Sequence, residues 1–545
     1  MTKGYLALIL HAHLPFIRNT DSQKTLPENW LYEALTETYI PLLDMMERLT
    51  AQGVSFKLTL NISPPLISML SDPLIQKKYQ KHLEKMIELS EKEISRTENN
   101  PELNKLAYMY KQLFQKSLEI FHHKYNNYLL TGFKKLQEKG NLELITSAAT
   151  HGYLPLMYTR EAINAQIKTG IQTYKQAFDR HPEGIWLPEC AFNPKLDPIL
   201  ERNNIRFFIG ATHAVLHADP RPRYGVYAPI YTPQGIACFG RDYESSKQVW
   251  SGNEGYPGDY DYREFYRDIG YDLEYDYVEP YLPAKERSPL GIKYYKITGD
   301  TDDKALYNPE KAREKAAEHA GNFMFNRQQQ VNYLAGIFDR KPIITAPYDA
   351  ELFGHWWFEG PQWLEFLLKK IHYDQNEIKT ITPSEYLKEY KENQISMPPE
   401  SSWGYKGYHE VWLNGSNSWI YRHLHEAELL MKEMVNKFLH LENKQNIHYR
   451  TLNQMARELM LAQSSDWAFI MKTGTMVDYA TFRTKKHLNN FFELARHLEE
   501  KNASPDLLET LENKNNLFPE VDFKVYKNED FNISKKIEPA YISGN

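Results

Sequence analysis

The chain has 545 residues, of which 42% are hydrophobic, and a formal net charge of −6. Its length exceeds one ordinary core and predicts two or three domains, one of which can be a barrel of about 250 residues or more. The negative balance excludes a general nucleic-acid binder, which needs clustered Lys and Arg against phosphates, and two cysteines, Cys190 and Cys238, exclude a disulfide framework and point to a reducing compartment.

The first apolar run, residues 5–10, is too short for the core of a secretory leader and is interrupted at once by His11. No run of about 18 apolar residues follows, so no transmembrane helix is expected and the chain reads as cytoplasmic. Short apolar runs at 5–10, 56–60, 142–145, 185–187, 207–210 and 343–346 read as buried strands, with helical stretches between them. That alternation predicts an α/β fold with a parallel sheet or barrel, whose chemistry sits at the carboxyl ends of the strands.

Residues 73–139 read as an inserted, charged helical hairpin. Asp72-Pro73 offers an N-cap with proline at the first helical position, Asn99-Asn100-Pro101 breaks the hairpin in two, and Gly140 stops it. Residues 240–300 are rich in Gly, Asp and Tyr with little periodicity, and read as an aromatic binding loop or lid. Barrel residues extend to about 400. Helical patterns at 422–441, 450–463 and 482–501 mark a C-terminal helical domain over 401–512, and the polar tail 513–545 carries no assignable role.

Three segments concentrate polar chemistry behind apolar runs. His11-Ala-His13 puts two imidazoles on one face of a strand. Trp186-Leu-Pro-Glu189-Cys-Ala-Phe192 sets a carboxylate among aromatics, where it is costly without a role or partner. Tyr348-Asp349-Ala-Glu351-Leu-Phe-Gly-His355-Trp356-Trp357-Phe-Glu359 holds three carboxylates, a histidine and several aromatics behind one strand. Two carboxylates behind different strands suit glycosidic chemistry, in which one attacks or stabilises the anomeric carbon and the other protonates the leaving oxygen. The composition, with 38 Tyr, 25 Phe and 10 Trp, supplies aromatic faces for sugar rings as readily as for cores.

The segments HAHLPF, THGYLPL, WLPECAF and YDAELFGHWWFEGP together resemble glycoside hydrolase family 57, and within it the 1,4-α-glucan (glycogen) branching enzyme group. The resemblance runs from the first strand through the helical region. It implies a (β/α)7-type barrel with an inserted helical hairpin and a C-terminal α-helical domain, and retention through a glycosyl-enzyme intermediate. It places the nucleophile on Glu189 and the acid/base on Asp349, which must be protonated in the first step and act as base in the second. It puts His11, His13 and His151 near the donor sugar, with Trp186, His355, Trp356 and Trp357 beside them. It offers Trp403, Trp412 and Trp419 as glucan platforms, and Ser464-Ser465-Asp466-Trp467 as a contact from the helical domain into the cleft. Tyr243, in the segment FGRDYESSKQVW, is expected near a loop tip that disfavours water as acceptor.

The implied partner is an α-1,4-glucan such as amylose or glycogen, with no metal and no cofactor, no nucleic acid and no membrane. An α-amylase or a 4-α-glucanotransferase would use the same two carboxylates. Two other classes compete: a metal-dependent carbohydrate hydrolase or deacetylase holding its ion with His11, His13 and Asp349, and a non-catalytic glucan-binding protein.

Overall fold

The computed structural model describes residues 2–20, 25–252, 254–283, 286–500 and 504–528. The strands in chain order are β1 Gly4–Ala12, β2 Leu58–Ile62, β3 Leu142–Ser147, β4 Gly184–Trp186, β5 Phe207–Gly210, β6 Ile230–Tyr231, β7 Ala237–Gly240, β8 Ile343–Asp349 and β9 Ile378–Thr380. All six strands expected from the apolar runs are present, with ends shifted by a few residues. The chain divides into two compact units, Met1–Ile145 with Arg241–Glu389, and Thr146–Gly240 with Tyr390–Asn545.

In the first unit β8, β1, β2 and the start of β3 pair in parallel, in that order, and β9 adds to β1. Arg241, the residue after β7, bridges in parallel to Thr345 of β8. In the second unit the last two residues of β3 pair with β4, followed by β5 and β7 in parallel, with β6 antiparallel at the end. Counted once each, and apart from the short β9 that also pairs in parallel with β1, the parallel strands are β1, β2, β3, β4, β5, β7 and β8, an α/β fold of the (β/α)7 type. β6, β7 and β9, of two to four residues, lie outside the six apolar runs.

The inserted helices belong to the first unit. Helix Pro73–Arg96 starts where Asp72 accepts from the amides of Leu74 and Ile75, and helix Pro101–Leu118 starts where Asn100 accepts from that of Leu103. These caps satisfy donors that the first helical turn leaves unpaired. A turn of π-helix, Glu119–Lys124, and helix Leu130–Glu138 complete the insertion, which ends at Gly140 in the left-handed region (φ 76°). Residues 240–300 are less irregular than their composition suggests, since they open with helix Tyr243–Trp250, capped by Asp242.

The second unit carries the C-terminal helices Trp419–Phe438, Ile447–Ala462, Ser465–Thr473, Val477–Glu499 and Pro505–Lys514. Buried Glu428 ties the first of these to helix Arg160–Phe178. It accepts from the amides of Tyr158 and Thr159 at 3.0 and 2.7 Å, and from Gln463 Nε2 at 3.1 Å. Cys190 and Cys238 are buried and unlinked. Of the expected tail, residues 529–545 lie outside the described residues. Among the described residues no helix is long and apolar enough to cross a membrane.

Two outcomes test this packing. Gly354 has φ 121°, and a Cβ there would sit 1.8 Å from the Glu37 carbonyl oxygen, so Gly354→Ala should lower unfolding stability by about 3 kcal/mol in a denaturant titration. Burial pushes the Glu428 carboxyl up to about 7 despite its donors. A carboxyl raised on folding contributes stability below its unfolded pKa and loses it as pH rises through the folded one. Wild-type thermal midpoints should therefore decline between about pH 4.5 and 7, and Glu428→Gln should flatten that decline.

Candidate active site

Glu189 stands one turn beyond β4. The chain cannot continue as a strand through Pro188, and it turns with Glu189 at φ 62°, ψ 24° and Cys190 at φ 47°. Left-handed backbone at two successive non-glycine residues costs of order 1–3 kcal/mol each and persists only where the surroundings hold it. Here the Cys190 amide donates to Leu187 O at 2.8 Å, and Glu189 O accepts from the Trp403 amide at 3.0 Å.

Both carboxylate oxygens are engaged. Trp403 Nε1 donates to Oε2 at 2.8 Å, and Ser465 Oγ donates to Oε1 at 3.1 Å. His151, itself at φ 56°, places Nδ1 2.9 Å from Ser465 Oγ and 3.8 Å from Oε1. With the hydroxyl proton spent on Glu189, Ser465 accepts from His151 Nδ1, so a consistent relay runs from His151 through Ser465 to Glu189. The Ser465 amide donates to His151 O at 3.0 Å, and Gly152 bridges Ser464, which fixes both ends of that relay.

The tryptophans of this unit divide into two groups. Trp403 is half-buried and touches Glu189, while Trp419 is half-buried at the start of its helix, with Lys485 Nζ 5.7 Å from its ring. Trp186, Trp412 and Trp467 are at most 1% exposed. Trp186 meets Trp403 edge-on at 5.1 Å. Trp412, expected as a platform, stacks on Tyr153 at 4.5 Å, and Trp467 donates to Leu461 O and carries Arg483 4.7 Å from its ring. Rings this large are covered by packing, so Trp412 and Trp467 act as supports behind the surface rather than as open faces. Asp466 is half-buried and accepts from Ser464 Oγ at 2.5 Å.

Asp349 ends β8 in the first unit, and its register partner across the ladder is His11 of β1. Asn61, two residues before the similarly placed Ser63, decides the state of His11. Its Nδ2 donates to Ile145 O at 3.0 Å, so its Oδ1 faces His11 Nδ1 at 2.6 Å as an acceptor. His11 therefore carries its proton on Nδ1. Burial, and then the neighbouring His13, hold its pKa well below the ordinary range, so the ring is neutral and Nε2 is an acceptor. His13 stacks on it at 5.6 Å, with Nδ1 2.9 Å from Ser63 Oγ and its amide donating to Glu351 at 3.0 Å. Tyr39 donates to the same Glu351 oxygen.

The segment after Asp349 is anchored by buried charge. Arg263 Nη1 lies 2.6 Å from Glu37, and the Arg263 amide donates to Glu359 at 3.1 Å. Burial would raise the Glu37 carboxyl, but Arg263, with help from His355 and Lys293, outweighs it and holds the group at about 2. His355 Nδ1 lies 3.6 Å from Glu33 and 3.5 Å from Glu37. Trp356 is 56% exposed and stacked on Phe265 at 4.7 Å, the one ring of its pair open to a sugar, whereas Trp357 is 1% exposed and packs on Trp363 and Tyr262. Tyr243 is 64% exposed. It is the first residue of helix Tyr243–Trp250 rather than a loop tip, because Asp242, held by Arg327 and Gln330, caps that helix.

Sequence reasoning missed Asn61, Ser63, Tyr39 and Phe265, and named Glu351 and Ser465 within their segments without giving either a partner. Asn61 and Ser63 follow an apolar run and could have been found by the strand-end rule. Ser465 lay inside the singled-out segment Ser464-Ser465-Asp466-Trp467, with no signal that it would point at Glu189.

Known proteins share this arrangement of segments. Residues 7–398 match the family model for glycosyl hydrolase family 57, and residues 423–526 match that for the C-terminal region of 1,4-alpha-glucan branching enzymes. A 1,4-alpha-glucan branching enzyme of Thermococcus kodakarensis is 33% identical over 579 residues, spanning 99% of this chain and 81% of that protein. The crystal structure of the alpha-amylase AmyC from Thermotoga maritima matches at a TM-score of 0.90 and 44% identity, over 96% of this chain and 99% of that one. The GH57-type branching enzyme from Pyrococcus horikoshii matches at 0.87 and 33%, over 97% and 98%. With a family match over most of its length and relatives similar from end to end, the chain belongs to glycosyl hydrolase family 57.

Proposed function

We propose that the protein is a retaining α-1,4-glucan branching enzyme. Glu189 attacks the anomeric carbon of an α-1,4-linked glucosyl unit while Asp349 gives its proton to the departing 4-oxygen. Asp349 then takes the proton of an acceptor 6-hydroxyl as that oxygen displaces Glu189, and an α-1,6 branch results. The observation that carries this reading is the doubly engaged Glu189 carboxylate. Trp403 Nε1 and Ser465 Oγ hold its two oxygens, which suits a nucleophile that must meet one carbon from one direction. Neutral His11, offering Nε2 as an acceptor, suits a donor-sugar hydroxyl. In this reading residues 1–400 supply the barrel and 401–512 the helical domain, with Trp356, Trp403 and Trp419 as the accessible sugar platforms.

The branching-enzyme C-terminal match and the 33% identical branching enzymes support transfer to a 6-hydroxyl. A second reading, hydrolysis, has its own support in the 44% identical structure of a protein called an alpha-amylase. Water and a sugar hydroxyl differ as acceptors, not in what they ask of Glu189 and Asp349.

Incubation with amylose separates the two: α-1,6 linkages counted by proton NMR should outnumber new reducing ends, and reducing ends without branches would make the protein an amylase. Glu189→Gln and Asp349→Asn should each abolish both products. Trp403→Phe, which removes one hydrogen bond to a charged group worth about 1.5–3 kcal/mol, should lower kcat roughly 10- to 100-fold with little change in KM; an equal change in KM alone would make Trp403 a binding residue only. Tyr243→Ala should lower the ratio of branches to reducing ends, and an unchanged ratio would remove Tyr243 from acceptor selection.

A further inference from the structure

Behind the residues that touch Glu189, the second unit holds a chain of buried amides that the reaction itself does not call for. Helix Arg160–Phe178 sends Gln166, fully buried, to the turn before His151. The Ala149 amide donates to Gln166 O at 2.9 Å, the Thr150 amide donates to Gln166 Oε1 at 3.0 Å, and Gln166 Nε2 donates to Thr150 Oγ1 at 3.0 Å. The same Nε2 donates to Gln463 Oε1 at 3.1 Å, and Gln463 Nε2 donates to Glu428 at 3.1 Å. Gln463 is buried, caps the carboxyl end of helix Ile447–Ala462, and directly precedes Ser464-Ser465.

The chain has one direction. The Thr150 amide can only donate, so Gln166 turns its oxygen to it and its nitrogen to Gln463. The Thr150 hydroxyl spends its own proton on Met460 O, and so accepts from Gln166 as well. Gln463 must therefore present its oxygen to Gln166 and its nitrogen to Glu428, whose other oxygen takes the amides of Tyr158 and Thr159. Flipping either glutamine would set donor against donor and leave buried groups unmatched, at a cost. Gly152 closes the remaining side. A Cβ there would sit 2.9 Å from Gln166 Nε2, so the amide lies against the backbone that follows His151.

The pair joins the two segments that hold Glu189. Gln166 fixes the turn that ends in His151, whose left-handed backbone persists only where its surroundings hold it. Gln463 fixes the residue before Ser464 and Ser465. His151 Nδ1 and Ser465 Oγ then meet at 2.9 Å, and Ser465 Oγ reaches Glu189 at 3.1 Å. We propose that Gln166 and Gln463 are positioning residues: the hydrogen bond between them sets the approach of Ser465 to His151, and thereby the direction of the Glu189 carboxylate. Both act through other residues. That Glu189 attacks a sugar rests on the glucan-processing reading, whereas its orientation by this pair does not.

The test compares crystal structures of the full chain with those of Gln166→Met and Gln463→Met, which keep the side-chain length and lose the amide. It adds the exchange Glu428→Gln with Gln463→Glu, which reverses the two side chains and keeps every acceptor opposite a donor. The contact between Ser465 Oγ and Glu189 should open beyond hydrogen-bonding distance in either Met variant and return in the exchange. An unchanged contact in the Met variants overturns the proposal. If neither Met variant folds, Glu428→Gln alone, which turns a donor on Gln463 Nε2, decides by the same contact. On amylose, well below each thermal midpoint, kcat should fall about tenfold or more in the Met variants with KM within about twofold, and most of the loss should return in the exchange. A lowered thermal midpoint with kcat intact, or a loss that the folded exchange leaves unrepaired, makes the pair a packing feature and overturns its role. A parent that forms no product from amylose, but whose Ser465–Glu189 contact depends on the pair, keeps the positioning and loses the reaction. An active parent whose contact ignores the pair keeps the reaction and loses the positioning.

Discussion

A parallel strand covered on both faces has no solvent along its length, so any polar side chain on it must be matched inside the protein. β1 shows the consequence: all nine residues of Gly4–Ala12 are buried, and the only ionisable side chain beyond Tyr5 is His11, near the carboxyl end. β8 likewise runs through Ile343–Tyr348 before Asp349 emerges half-buried. Chemistry is forced to the strand ends, and each group there is set by its neighbours. Asn61 is the clearest case, because one amide group pointing at Ile145 O dictates which nitrogen of His11 carries the proton.

In the first unit the segment after Asp349 turns tightly, and its ring and charge packing keeps it in place. Arg263 is buried with Glu37, a pair whose desolvation is tolerated only because Glu37 gains a full-strength partner. The Arg263 guanidinium also lies 3.9 Å from the Phe358 ring, and Tyr307 donates to Glu359 at 2.6 Å. His355 and Trp356 hang from this cluster, which explains how one ring of a Trp-Trp pair stays exposed while the next is sealed.

The second unit solves a different problem. Glu189 sits on strained backbone that no local preference favours, and the hydrogen bonds that hold it come from residues more than two hundred positions later. The helix that supplies Ser465 is therefore part of the support of Glu189. Loss of packing under Trp467 or Trp412 would reach Glu189 without touching it, through Ser465 and through the Trp403 loop.

The sequence by itself determined the strand runs, the caps of the inserted helices at Asp72 and Asn100, and the segments holding Glu189 and Asp349, because each depends on side chains a few residues apart. The short strands β6, β7 and β9 were not legible, since β6 and β9 carry too few apolar residues to form a run and β7 lies at the start of the Gly-, Asp- and Tyr-rich segment. Tyr243 was expected near a loop tip and instead opens a helix capped by Asp242, whose own contacts with Arg327 and Gln330 come from far along the chain. Trp412 and Trp467 were legible as aromatics but not as covered ones, because exposure belongs to what a ring packs against and not to the ring. The partners of Glu189 and the protonation of His11 were decided only by the tertiary structure: each joins groups separated by tens to hundreds of residues, and the hydrogen bonds that define them exist only after the chain has closed.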